Sequence, residues 1–316
     1  SSVVAGTGLS GGGTSGDVTL NVEAAQSGVT SLGTLTGLTV NGNVSIDGGT
    51  IKLDGNYPTG TENVALGNTA LDSGSLSGAY NTAIGSASMT ANTSGERNVA
   101  VGRTSLEANL GGSFNVASGY GALRLNTSGG SNTAIGYNAM LANQTGEGNT
   151  AVGEGALDAN NPGDNNVAIG KLSLSGNTTA DNNTAVGTCA LKTNTTGTEN
   201  VAVGLCALTA NTTASNNVAV GRKALATNTT GTHNVALGFN SQFSTTEGLC
   251  NISVGGGSLQ SNTTGCYNIG IGRFANCANT TSNNNVAVGH ESLKVNTAAS
   301  NTAVGYIALT ANTTGT

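Results

Sequence analysis

The sequence predicts an all-β chain whose main part is a parallel β-solenoid, or β-roll, of about fifteen 17-residue coils. Three observations predict it. The string Asn-Val/Thr-Ala-Val/Ile-Gly, or a close variant, occurs fifteen times between Asn63 and Gly305. Twelve of the fourteen intervals between first Asn residues are 17; the first is 18 and the last is 16. No 3.6-residue period survives among the recurring Gly and Thr-Thr pairs, which excludes a helical array. A short fixed period means one unit stacked on itself, because a single unit cannot bury its own apolar face.

Residues 1–62 differ and read as a strand- and Gly-rich shaft or joint segment. Ser10-Gly11-Gly12-Gly13-Thr14-Ser15-Gly16 reads as a turn-rich joint, followed by Asp17 to Val22 with period two. Leu38-Thr39-Val40, Val44-Ser45-Ile46 and Ile51-Lys52-Leu53 are bounded by Asn-Gly, Asp-Gly-Gly or Asp-Gly and read as short strands with turns. None could hold a core alone.

Residues 63–316 form the repeat. Numbered from its first Asn, the unit has Asn at position 1 and Gly at position 5 in all fifteen copies. Position 2 is Val, Ile or Thr, position 4 is aliphatic except at Ser118, and position 3 is Ala in thirteen copies. Position 9 is Leu or Met except at Gln242 and Asn276; position 12 is Asn in thirteen, usually before Thr-Thr-Gly or Thr-Ser-Gly. Alternating β-branched residues suit a pleated ladder. Gly at position 5 allows a positive-φ bend or a close backbone approach. Stacked coils place each Asn about 4.8 Å from its neighbour, within reach of a side-chain amide ladder. Fifteen such steps make a rod of roughly 70 Å.

Positions 2, 4 and 9 are expected to hold the coil's core, which turns position 3 outward. An outward position should vary, as position 6 does, yet position 3 stays Ala. A second copy of the chain packed against it is one explanation. The other is a flattened monomeric solenoid whose tight core Ala fills.

Composition excludes several classes of function. Charged residues are 8%, the net charge is −6, and no basic face is evident for phosphate neutralisation, so nucleic acid is not an expected partner. No run of eighteen apolar residues predicts membrane insertion in this segment. The chain opens at Ser1 without Met and stops inside a repeat, and so reads as a piece of a longer polypeptide. His233 and His290 have no second base or ligand at useful spacing, and no nucleophile elbow, phosphate loop or paired-cysteine zinc pattern occurs, so an enzyme is not expected.

Four constellations remain. Glu147, Asp164 and Asp181 occupy position 16 of successive coils, where stacked carboxylates are either solvated or bridged by Ca²⁺, the one cofactor considered. Tyr120, Tyr137, Glu154 and Lys171 follow Arg103 down position 6; they form either a sugar-stacking surface or a plain cross-coil ladder. Cys189 and Cys206 share position 7 of adjacent coils, and Cys250 and Cys266 are one coil apart, offset by one. Each pair is within disulfide range or consists of reduced thiols, with Cys277 left over. Asn-x-Ser/Thr at position 12, as at Asn194 and Asn211, fits glycosylation acceptors but reads better as turn chemistry, because the whole column shares it.

Two resemblances add to this. Asn200 to Leu208 and Asn217 to Leu225, each Asn-Val-Ala-Val-Gly-x-x-Ala-Leu, resemble the coils of trimeric autotransporter adhesin heads, over about 250 residues. That resemblance implies a homotrimer of rolls about one axis. The longer period and the added Asn-Thr-Thr-Gly corner depart from it. Ala5 to Asn21 resembles the joint segments of phage tail fibres and related virion fibres, and Leu38 to Val44 their shaft strands. Together they imply an extracellular or virion-surface fibre that attaches to a cell-surface glycan or protein receptor. A bacterial surface adhesin, or an extracellular fibril growing end to end, is the other reading.

Overall fold

The computed structural model describes residues 62–315, together with three short strands nearer the N-terminus. The chain divides into two units, Ser1–Lys52 and Leu53–Thr316. In the first unit, β1 (Val3–Val4), β2 (Leu9–Gly13) and β3 (Leu20–Val22) form an antiparallel sheet in the order β1-β2-β3. The sequence placed a period-two strand signal over Asp17–Val22, of which Leu20–Val22 is the described strand, but a turn-rich joint over Ser10–Gly16. Instead Leu9–Gly13 pairs on both sides, Val3 with Gly13 and Ser10 with Asn21. Gly lacks strand propensity, but nothing in its geometry forbids a ladder. The strands expected near residues 38–53 lie outside the described residues.

The second unit is the expected solenoid. Each copy of the repeat contributes one three-residue strand, from β4 (Val64–Leu66) through β17 (Val286–Val288) and then β19 (Thr302–Val304). These fifteen strands make one parallel sheet in sequence order. Register is strict: Val201, Ala202 and Val203 face Val218, Ala219 and Val220. β18 (Val295–Asn296) pairs separately with β20 (Ala311–Asn312).

The faces of the strand are the reverse of the expectation. Position 3 points into the coil, where Ala83, Ala134, Ala185 and Ala219 have no exposure. Positions 2 and 4 point outward; Ile135 and Ile169 are each 41% exposed. The reason is width. Across the narrow 17-residue coil, position 9 projects inward a Leu or Met that is fully buried, as at Leu106, Met140 and Leu191. Opposite it there is room for a methyl group, and a β-branched chain would overpack the space. Position 8, Ala or Ser, completes this interior.

Position 5 needs Gly on two counts. Its φ lies between 124° and 139° in every coil, a region that only Gly occupies without strain. A Cβ at Gly85 would also lie 2.6 Å from the carbonyl oxygen of Gly102 in the next coil. Three further columns, positions 7, 9 and 17, bend through the left-handed region with ordinary side chains, as at Thr104 (φ 56°), Leu106 (φ 49°) and Arg97 (φ 56°). Such bends cost about 1–2 kcal/mol each, and hydrogen bonds between coils hold them: Thr104 N–H donates to Ser86 O at 3.0 Å and Leu106 N–H to Ala122 O at 3.0 Å.

Two buried Asn ladders run along the stack, that at position 1 unbroken from Asn63 to Asn301 and that at position 12 interrupted at Thr245. At position 1, Asn98 N–H donates to Asn81 Oδ1 (3.0 Å) and Asn98 Nδ2 to Gly112 O (2.9 Å). At position 12, Asn109 Nδ2 donates to Asn92 Oδ1 (2.7 Å) and also to Gly112 O (3.0 Å). The position-15 carbonyl therefore ties both ladders together. The Asn-Thr-Thr-Gly corner is an interior polar seam as well as a turn.

Length variation is absorbed at that corner. The 18-residue coil keeps its strand register, Val64 with Thr82. Its added residue lies between Leu71 and Gly78, because Asn63 Nδ2 reaches Gly78 O fifteen residues on, where other coils reach fourteen. The 16-residue coil shortens after Asn296, whose Nδ2 donates to Ala298 O, two residues away instead of three.

Candidate binding surface

The coil presents three surfaces: the outer face of the sheet, the edge where the chain leaves the strand, and the edge where it enters. Positions 6 and 7 follow the strand and position 10 packs beside them, as Lys294 on Glu291 (3.0 Å) and Lys223 over the Phe243 ring (5.8 Å) illustrate. Positions 14, 16 and 17 lie at the other edge.

On the leaving edge, Tyr120 and Tyr137 stack on each other, with centroids 5.5 Å apart and rings 12° from parallel. Arg103 lies over Tyr120 at 5.6 Å. One face of each ring is thus covered by its neighbour, and Arg103 covers the second face of Tyr120. A sugar would meet mainly ring edges, so this arrangement is a cross-coil ladder. Lys171 continues it with an ion pair to Glu154 at 2.9 Å, both side chains more than half exposed, which contributes about 0–1 kcal/mol.

On the entering edge, Glu147 N–H donates to Asp164 Oδ1 and Asp164 N–H to Asp181 Oδ1, both at 2.7 Å. Ser113 and Asn283 accept the same backbone bond in other coils, from Glu96 (3.0 Å) and Cys266 (2.7 Å). The Asp164 and Asp181 carboxylates serve as backbone acceptors. Among the described residues no group of three or more His, Cys, Asp or Glu side chains converges to hold an ion. The Ca²⁺ reading therefore lacks its ligand set.

All five cysteines are free, half-buried thiols, so neither Cys189–Cys206 nor Cys250–Cys266 is joined here. Cys266 Sγ instead accepts Leu249 N–H at 3.5 Å. Burial pushes the Cys277 thiol upward. The position-12 sequons are inaccessible: Asn194 and Asn211 are fully buried with Nδ2 engaged in the ladder.

Charge segregates between the two edges, although the sequence shows no evident basic face. Among the described residues the leaving edge holds Arg103, Arg124, Lys171, Lys192, Arg222, Lys223, Arg273 and Lys294 against Asp72, Glu107, Glu154, Asp158 and Glu291, a net of +3. The entering edge holds Glu62, Glu96, Glu147, Asp164, Asp181, Glu199 and Glu247 against Arg97, a net of −6. Periodicity carried this information, but only once each charge is assigned to its coil position. A hydrogen bond and charge from Glu107 raise the Arg124 pKa, the hydrogen bond from Lys294 lowers that of Glu291, and burial raises that of Asp158.

The outer face is largely apolar, interrupted by Thr at position 2 in five coils and by Ser118 at position 4. Leu66, Ile84, Val101, Ile135, Ile169, Val220, Ile271 and Val304 at position 4 are exposed, and Val99, Val116 and Ile252 at position 2 stand beside them. Two columns about 7 Å apart along roughly 70 Å make a strip of about 500–700 Å². That is at or above the largest apolar patch of a typical monomer, which marks an interaction surface.

Fold and surface together define a parallel β-solenoid with one largely apolar face between edges of opposite charge; a parallel β-solenoid is consistent with fibre and adhesin architectures generally. No family model, curated protein or solved structure matches the chain. No described helix is long and apolar enough to cross a membrane.

Proposed function

We propose that this chain is a structural and adhesive fibre segment whose copies associate side by side through the outer face of the sheet. The carrying observation is the pair of aliphatic columns at positions 2 and 4, which face solvent in one chain yet do not drift to polar residues other than Thr and Ser118. A strip of this size approaches the roughly 800 Å² per partner of a standard stable interface. Rotation about the lengthwise axis also sets the acidic edge of one chain against the basic edge of the next, a heterologous contact that closes into a ring. Three chains is the number the adhesin-head resemblance implies. The partner that the sequence sought at position 3 is thus reassigned to positions 2 and 4.

The work of such a fibre is to span distance and attach at a cell surface, without catalysis, in an extracellular or virion setting. The resemblance of Ala5 to Asn21 to tail-fibre joints favours the virion. The test is mass in solution by light scattering, for the parent and for Ile135→Glu with Ile169→Glu. The parent is expected as a trimer and the double variant as a folded monomer. A monomeric parent removes the proposal.

A further inference from the structure

The cations of the solenoid are not used alike along the rod. In the N-terminal and middle coils Arg97, Arg124 and Lys171 are each paired to a carboxylate, Glu96 at 2.9 Å, Glu107 at 2.6 Å and Glu154 at 2.9 Å, while Arg103, over Tyr120, and Lys192 stand singly without an ion pair among the described residues. In the last coils Arg222, Lys223 and Arg273 make no ion pair among the described residues; each instead lies over a phenylalanine ring. Arg222 is 5.4 Å from the centre of Phe239, Lys223 5.8 Å from Phe243 and Arg273 4.5 Å from Phe274. Lys294 approaches the same Phe274 at 5.8 Å, with Glu291 its only ion-pair partner among the described residues. From Arg222 to Arg273 is three coils, about 14 Å along the axis.

A side-by-side assembly does not neutralise these charges. At the same height the entering edge of a neighbouring chain offers Thr232, His233, Leu249, Cys250, Tyr267 and Asn283, with Glu247 the one carboxylate. The middle coils, by contrast, supply Glu147, Asp164, Asp181 and Glu199. Three unpaired cations, with Lys294 beside them on its own partner Glu291, therefore face solvent as a row against one neighbouring acid. Ring contacts hold the cationic heads in place without neutralising them.

We propose that this row, Arg222, Lys223, Arg273 and Lys294 with Phe239 between them, binds an acidic polysaccharide. A row with axial spacing suits a linear polyanion. Arg takes carboxylate or sulfate in a two-pronged hydrogen bond, and the half-exposed Phe239 offers apolar surface to a sugar ring. A single-stranded nucleic acid fits less well, because successive bases need successive open rings, and Phe239 is the one exposed phenylalanine of this row while Phe243 and Phe274 are partly buried beneath Lys223, Arg273 and Lys294. The proposal rests on the attachment reading and supplies its ligand class; it does not depend on the number of chains.

The purified chain is tested against immobilised polygalacturonate, dextran sulfate and neutral dextran, with a single-stranded oligonucleotide as a fourth arm. Binding to one or both acidic polysaccharides, weakened by salt, is expected, with none to neutral dextran. The triple variant Arg222→Ala, Lys223→Ala, Arg273→Ala should bind at least tenfold more weakly. Arg103→Ala with Lys192→Ala, on the same edge of earlier coils, should change binding less than twofold. If the triple variant melts lower than the parent, the corresponding Gln variant takes its place with the same expectation. Undiminished binding by the triple variant, equal retention on neutral dextran, or preference for the oligonucleotide overturns the site. Cell attachment that survives in the triple variant also removes this site but leaves the attachment reading standing. Failure of the parent to attach to any cell removes that reading alone.

Discussion

The coils from Asn81 to His233 and those from Asn234 to Asn284 share one backbone but not one interior. In the first group an unbroken core of Ala, Leu and Met runs from coil to coil, and position 12 is Asn throughout. In the second, Gln242 and Asn276 replace Leu at position 9, Thr245 replaces Asn at position 12, and Ser253 and Gly270 replace Ala at position 3. The continuous apolar cluster ends at Ala236 and resumes at Ala275. The two substitutions at position 9 are not equivalent. Gln242 is accommodated at its nitrogen, Nε2 donating to Val235 O (2.9 Å) and Ser253 Oγ (3.2 Å), while Ser241 bonds Ser253 and Gln242 Oε1 is left without a protein partner. Asn276 is fully buried and neither end of its amide has a protein partner. A solenoid tolerates this because its stability is close to a sum over neighbouring coils, so a defect stays local.

Four substitutions test the contrast, in order of expected size. Gly170→Ala, in the intact group, meets both the backbone of Gly187 at 2.7 Å and a φ of 127°. It should cost about 4 kcal/mol or more, read as a fall in urea midpoint; a loss under about 1 kcal/mol would show that coils can spread apart. Asn160→Ala removes the donor to Asn143 Oδ1 (3.0 Å) and Gly163 O (2.8 Å) and the acceptor of Asn177 Nδ2 (2.7 Å). A loss of about 3 kcal/mol is expected, with the m-value unchanged; a neutral result would mean that the ladder adds nothing. Asn276→Leu restores the column and should raise stability by about 2 kcal/mol, measured as a rise in melting temperature; a lower melting temperature would mean that the amide has a role in the interior. Thr245→Asn supplies the amide that Asn228 Oδ1 lacks and should add about 1 kcal/mol. Slower hydrogen exchange confined to coils 217–262 would locate that gain, and unchanged exchange there would refute it.

Much of the architecture was legible in the sequence. The period gave the stack, the strand sites and their register, and the invariant Asn at position 1, from Asn63 to Asn301, gave the ladder. The faces of the strand were not legible from alternation alone, because Val-Ala-Val reads equally well either way round. The deciding signal was size: the smallness of position 3 had to be weighed against the bulk of Leu or Met at position 9, as Ala185 is against Leu191 in one coil. The left-handed bends at positions 7, 9 and 17 left no mark, since Leu106 and Arg97 adopt a backbone their residue types rarely choose, and stacking imposes it. Among the site residues, the shared column of Tyr120 and Tyr137 was visible, but the mutual covering of their rings was not. The separation of charge between edges was present in the residue numbers and needed the coil's geometry to be read.

The corner that lengthens between Leu71 and Gly78 and shortens after Asn296 leaves the strand register intact on either side. Counting errors are therefore corrected once per turn, before they can propagate. A foreign peptide spliced into that corner should inherit a fixed height along the solenoid, and successive corners would offer a ruler graduated at about 4.8 Å. Antibody labelling of insertions in an early and a late corner, imaged on single molecules, would show whether they are separated along the axis.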